Sequence, residues 1–123
     1  MKTIYRLEAK NKFKTKVGEG PYTNNIDDSK VMYFTDIVLN AHNHGDSHPS
    51  IEEDFSLYDI PSNNHCACET LEDLKNWFRG YMAHAKRVGF GIAEYKVIDY
   101  IVSESGKQVI FNKYNVISKK FIS

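Results

Sequence analysis

A chain of 123 residues with sixteen basic and sixteen acidic side chains has no formal net charge, which removes the long-range attraction that draws proteins to nucleic acid polymers or anionic lipid. Its length suits a single domain over residues 1–123, enough to bury a core and too short for a catalytic domain plus a regulatory one. No apolar run is long enough to cross a bilayer and Met1-Lys2-Thr3-Ile4-Tyr5-Arg6 lacks the apolar core of a signal peptide, so a cytoplasmic protein without a membrane partner is expected.

Residues 3–8 alternate apolar and polar side chains, the pattern of a short strand with one buried face, and Arg6 shares the face of Ile4. A basic, broken stretch over residues 10–16 leads into Gly18-Glu19-Gly20-Pro21-Tyr22, where two glycines and a proline impose a turn. Residues 24–30 are polar and loop-like. Two periodicities then compete over residues 31–40. Val31, Tyr33, Thr35 and Ile37 alternate as in a strand, whereas Val31, Phe34, Val38 and Ala41 keep helical spacing behind the possible caps Asp28 and Ser29. The enrichment in Val, Tyr, Phe, Thr and Ile favours the strand. From residue 41 to 64 the composition turns to His, Asn, Gly, Asp, Ser and Pro, anchored by Ile51, Phe55, Leu57, Tyr58 and Ile60. A connection of that length inside a compact domain is usually functional or mobile.

The spacing of Leu71, Leu74, Phe78, Tyr81, Ala85 and Val88 predicts one long amphipathic helix, capped by Thr70 with Asp73 reaching back and stopped at Gly89. Trp77 widens the apolar stripe; Lys75, Arg79, Lys86 and Arg87 lie towards solvent. Residues 90–102 read as one long strand, Ser103-Glu104-Ser105-Gly106-Lys107 as a hairpin loop, residues 108–111 as the returning partner, and residues 114–122 as a last short strand. The sum is an α+β fold, a small antiparallel sheet packed on one long amphipathic helix. Such a sheet has an open face and free edges, which suit a ligand or a second copy of the chain, so a homo-oligomer is expected.

Three groups of residues could carry chemistry. His42, His44, Asp46 and His48 share a face if extended, and His65, Cys66 and Cys68 add imidazole and thiol. Structural zinc ligands are spaced by two or more residues so that a turn wraps the ion, and neither run does this, so no metal and no cofactor is expected. Cysteines at i and i+2 do not reach bonding geometry easily, so both should be free. Cys66 with His48 or His65 could form a nucleophile and base, oriented by Asp54 and helped by the following helix N-terminus; the alternative is that Cys66 and Cys68 pack as small hydrophobes. Arg6, Gly20 in its turn, Tyr22, His48 and Gln108 form the third group. Arginine charge, backbone donors and an aromatic face are what a small phosphorylated nucleotide needs. The ordinary alternatives are pairing of Arg6 with Glu8 or Glu94 and packing of Tyr22 against the core.

Ile4-Tyr5-Arg6-Leu7-Glu8, Gly20-Pro21-Tyr22, His48-Pro49 with Asp54, Cys66, Thr70-Leu71, Leu74, Trp77-Phe78, Gly89-Phe90, Tyr95 and Gln108-Val109-Ile110-Phe111 follow one another in an order that resembles a family of short phage- and prophage-encoded proteins. The resemblance runs over nearly the whole chain. Where that family commonly has Cys-Gly-Phe, this chain has Cys66-Ala67-Cys68. It implies a viral accessory protein made in a bacterial cell, a setting in which such proteins often antagonise host defence. The leading expectation is a non-catalytic protein that sequesters a small nucleotide signal, of cyclic oligonucleotide or cyclic ADP-ribose type, through Arg6, Gly20, Tyr22, His48, Asp54 and Cys66. An ADP-ribosyltransferase-like or nucleotide-processing enzyme, using Arg6 with Glu104 or Gln108, and a protein-binding inhibitor of a host defence protein are the alternatives.

Overall fold

The computed structural model describes residues 1–11, 13–22, 24, 26–42, 54–55 and 63–123. Strand β1 (Lys2–Ala9) lies antiparallel to β3 (Phe90–Val97), which in turn pairs with β6 (Val116–Phe121). A second antiparallel sheet has the order β2 (Asn64–Ala67), β5 (Val109–Asn112), β4 (Ile101–Val102). The two sheets are stitched by a bridge in which Tyr5 and Cys68 exchange backbone hydrogen bonds of 2.8 and 2.7 Å.

Period-two alternation sends the two faces of β1 and β3 into different cores. Leu7, Phe90 and Ile92 meet the helices, packing with Val31, Phe34 and Val38 of α1 (Ser29–His42) and with Leu74, Phe78 and Ala85. Ile4, Ala93, Tyr95 and Val97 point the other way, onto Ala67, Val109 and Phe111 of the second sheet. The first sheet is therefore the middle layer, covered by helices on one face and by strands on the other.

This is an α+β fold, and it corrects the sequence reading in three places. Residues 31–40 form a helix, not a strand. Asp28 caps it, its Oδ1 accepting from the amides of Lys30 (2.8 Å) and Val31 (3.3 Å), and the helical spacing of Val31, Phe34 and Val38 prevails because a flat core face is there to receive it. The long helix expected over residues 71–88 is two short ones, α2 (Leu71–Trp77) and α3 (Met82–Arg87), separated at Gly80, whose φ of 89° no helix accommodates. The cap at Thr70 is as expected, its hydroxyl accepting from the Asp73 amide at 3.0 Å. The long strand over residues 90–102 ends at Val97, and Ile101–Val102 cross into the second sheet. One sheet on one helix thus becomes two sheets with the α-helices α1, α2 and α3 and a 3-10 helix at Lys113–Asn115 among the described residues. The hairpin through Gly106 (φ 75°), the stop at Gly89 (φ 100°) and the closing strand lie where the sequence places them. Among the described residues no helix is long and apolar enough to cross a membrane.

Candidate functional site

Ile4, Arg6 and Glu8 share one face of β1, so the alternation that buries Ile4 carries two charges into the interior with it. The Glu8 carboxylate is fully buried and accepts from Arg6 Nε at 2.8 Å, Tyr95 Oη at 2.7 Å and Lys119 Nζ at 2.9 Å. Lys119, on β6, donates also to Asn11 Oδ1 at 2.9 Å and to the Lys16 carbonyl. Arg6 donates from Nη1 to the Cys66 carbonyl at 2.7 Å and from Nη2 to the Gly18 carbonyl at 2.9 Å. Two buried cations face one buried carboxylate, and the surplus charge is met by backbone oxygens. Burial works against the Arg6 charge, but Cys66, Glu8 and Tyr95 outweigh it and raise the guanidinium pKa. Burial, with Glu8 alongside, pushes the Tyr95 phenol up.

Residues 16–20 form a strap over these charges. Its carbonyls face inward: Lys16 and Gly18 accept from Lys119 and Arg6, and Glu19 accepts from the Ala9 amide at 2.8 Å. A Cβ at Gly18 would lie 2.9 Å from Glu8 Oε1 and 3.1 Å from the Ala9 carbonyl, and one at Gly20 would lie 3.3 Å from Arg6 Nη2. Glycine is thus required at Gly18 by close approach.

Beyond the strap, Tyr22 joins an aromatic group. Its ring stacks on Phe78 with centroids 5.8 Å apart, and its hydroxyl lies 2.6 Å from Trp77 Nε1, which donates to it, and 2.6 Å from His42 Nδ1. His42 ends α1 and is edged by Tyr22, Trp77 and Tyr81, so the Tyr22 phenol ties the strap to both α1 and α2. Burial pushes that phenol up, and the Trp77 bond opposes the shift.

Cys66 is half-buried on β2 and Cys68 is buried beyond it, both as free thiols. His65 and Cys66 are neighbours in a strand and point to opposite faces, so His65 is not placed as a base for Cys66. Burial and the adjacent Arg6 draw the His65 pKa down to about 4 against the pull of Glu8, which leaves a neutral imidazole at neutral pH. The Cys68 thiol is pushed up to about 12 by burial, with Cys66 and Asp73 adding to the shift, the reverse of an activated thiolate.

Asp54 stands in a different cluster. Its carboxylate accepts from the Ser105 amide at 2.9 Å, Ser105 Oγ at 2.8 Å and Gln108 Nε2 at 2.9 Å, and its carbonyl accepts from the Glu104 amide at 2.8 Å. Burial opposes its charge, yet the donors from Gln108, Ser105 and Ser103 prevail and hold it below the usual carboxylate value. The chemistry of this set is that of a clamp on the β4–β5 hairpin.

Of the candidate residues, Arg6, Gly20 and Cys66 meet at one locus with Tyr22 at its margin; Asp54 and Gln108 belong to the hairpin clamp. His48, with His44 and Asp46, lies outside the described residues, and no group of three metal-ligating side chains occurs among those described. Sequence reasoning missed Glu8 as the hub and Tyr95 and Lys119 as its partners. A signal existed for Glu8, which shares the face of Ile4 and Arg6; nothing local marked Lys119, 111 residues away. A family model described as Bacteriophage T4 Y00F protein matches residues 1–123. No curated protein and no solved structure matches the chain.

Proposed function

The chain belongs to the bacteriophage T4 Y00F protein family, and from that premise we propose that it is a phage accessory protein of the host cytoplasm that antagonises antiviral defence by sequestering a small nucleotide signal, of cyclic oligonucleotide or cyclic ADP-ribose type. The observation that carries this reading is the meeting of Arg6, Gly20 and Cys66, with Tyr22 beside them, around a guanidinium that commits three of its five N–H donors. Two of its three acceptors are neutral carbonyls. A phosphate oxygen is the stronger partner, since it adds the attraction of opposite charges to a bond whose donor is already charged, and a guanidinium offers two such bonds in parallel. The anion exchanges for the Gly18 carbonyl at Nη2 as the strap lifts, Glu8 keeps Nε and the Cys66 carbonyl on β2 keeps its bond from Nη1, and the Tyr22 ring stands two residues beyond Gly20 for a base. Family membership supports the phage setting and leaves the ligand to experiment.

Calorimetry against cyclic dinucleotides, cyclic trinucleotides and cyclic ADP-ribose isomers tests it. One of them is expected to bind and to be recovered unchanged, and Arg6→Lys, which keeps the charge and loses the fork, is expected to weaken it by about tenfold or more. Failure of every member to bind wild-type protein overturns the reading, and consumption of a bound nucleotide or of NAD replaces it with the enzyme alternative.

A second reading, inhibition of a host defence protein by direct contact, draws on α1, where Met32, Tyr33 and Leu39 are exposed on the side away from the core. It predicts a stable complex with one host protein that Tyr33→Glu abolishes.

A further inference from the structure

A net charge of zero conceals how the charges are distributed. Residues 1–17 and 113–123 hold nine of the sixteen basic side chains and one of the sixteen acidic ones, Glu8, so these segments carry a surplus of eight positive charges and residues 18–112 the matching deficit. The fold joins the two segments: β1 and β6 flank β3 in one sheet, and Lys119 of β6 donates to Asn11 Oδ1 and to the Lys16 carbonyl. Glu8 is buried and occupied by Arg6 and Lys119. Lys10, Lys14, Lys16 and Lys113 are exposed, and none of them forms an ion pair among the described residues. Two aromatic rings stand beside them, Phe13 at 53% and Tyr114 at 73% exposure. Each follows an asparagine by two residues and is set by it, the Phe13 amide donating to Asn11 Oδ1 at 3.1 Å and the Tyr114 amide to Asn112 Oδ1 at 2.9 Å. Each has an ammonium over its face: Lys16 Nζ lies 5.4 Å from the Phe13 centroid and Lys113 Nζ 5.2 Å from that of Tyr114.

We propose that this strip, from Phe13 along β6 to Tyr114, binds single-stranded nucleic acid, the four lysines meeting phosphates and the two rings stacking on bases. The partner follows from the combination of charge with exposed rings. An acidic protein or an anionic lipid surface satisfies the lysines and leaves both rings without a stacking partner, and a duplex keeps its bases stacked on one another. An unpaired strand presents phosphates and base faces together. Zero net charge does not oppose this: the Debye length is about 8 Å at physiological ionic strength, so a strand lying on the strip responds to the local surplus, and exposed charges farther off are largely screened. Lys119, which anchors the Phe13 turn through Asn11, is separated from Tyr114 by roughly 15 Å of chain, a reach suited to a short stretch of strand. The strip uses neither Arg6 nor Tyr22, so it goes beyond the small-nucleotide reading and stands or falls apart from it.

Fluorescence anisotropy with a labelled single-stranded oligonucleotide of about ten nucleotides tests this. Wild-type protein should bind it, and the affinity should fall about fiftyfold as salt rises from about 50 mM to about 200 mM, because four phosphate contacts on a single strand give a log–log slope of about −2.8. Phe13→Ala, at an exposed position that leaves the core intact, should weaken binding by about tenfold with that slope unchanged, since a stacked base releases no counterion. Lys14→Glu should weaken binding and flatten the slope by about 0.7 or more. Lys30→Glu, the same change of charge at an exposed position of α1 in the helix layer, should alter neither. Circular dichroism spectra identical to wild type accompany each comparison. Absence of binding by wild-type protein, an affinity that Phe13→Ala does not lower, equal losses with Lys30→Glu and Lys14→Glu, or equal affinity for a duplex of the same length, for polyglutamate or for phosphatidylserine vesicles each overturns the proposal.

Discussion

Glu8 is the residue on which the interior turns. Its carboxylate has no contact with water and neutralises part of the charge of Arg6 and Lys119, while Tyr95 supplies a third donor. Breaking a buried ion pair from one side strands the remaining charge, at a cost of roughly 3–5 kcal/mol, whereas the pair as a whole adds little over well-packed hydrophobes. Glu8→Ala, which leaves two cations buried with carbonyls alone, should therefore lower the unfolding free energy by about 3–5 kcal/mol. Tyr95→Phe removes one donor from a carboxylate that keeps two others and should cost about 1–2 kcal/mol. Urea denaturation of the two variants measures both, and equal losses would contradict the role given to Glu8. The same residue limits how Arg6 can act: it holds Nε, so any ligand has to approach the Nη1 and Nη2 edge, which the Cys66 carbonyl of β2 and the Gly18 carbonyl of the strap occupy.

At the scale of elements, residues 31–40 and 71–88 went opposite ways for one reason. β-propensity pulled the first towards a strand, but Asp28 capped it and a core face matched its helical period. Along the second, the 3.6-residue period ran unbroken through Gly80, and the cost of a glycine within a helix let the chain reorient there so that Leu74 and Phe78 on one side and Ala85 on the other reach the same core. Gly80 has a φ of 89°, and nothing lies within 4 Å of the position a Cβ would take. Gly80→Ala thus pays in backbone strain alone, about 1–2 kcal/mol, while Gly80→Asn should lose less because asparagine tolerates the left-handed region. Thermal unfolding of the pair distinguishes strain from packing: a loss with asparagine equal to that with alanine would point to packing instead.

For the whole molecule, acid is the condition that should separate the layers. His65 titrates near 6.5 when unfolded and near 4 in the fold, so between those values the unfolded chain holds a proton that the folded chain refuses. That contribution to stability is complete above about pH 6.5 and is lost as the pH falls towards 4, and Asp54, depressed below its ordinary value, loses its contribution in the same direction at lower pH. The urea midpoint should fall between about pH 7 and about pH 4.5, and His65→Phe should remove most of that fall; an unchanged midpoint in wild-type protein contradicts the buried neutral imidazole. What the sequence determined by itself was whatever depends on neighbours along the chain: the first strand from its alternation, the Thr70 cap, the turn at Gly106, the stop at Gly89, the closing strand, and family kinship from the order of short motifs. What only the tertiary structure decided was where polar groups find partners. Arg6 meets Cys66 across 60 residues, Glu8 meets Lys119 across 111, and Asp54 meets Gln108 across 54. A buried charge is tolerable only beside its partner, and nothing in a local window says which distant residue that will be.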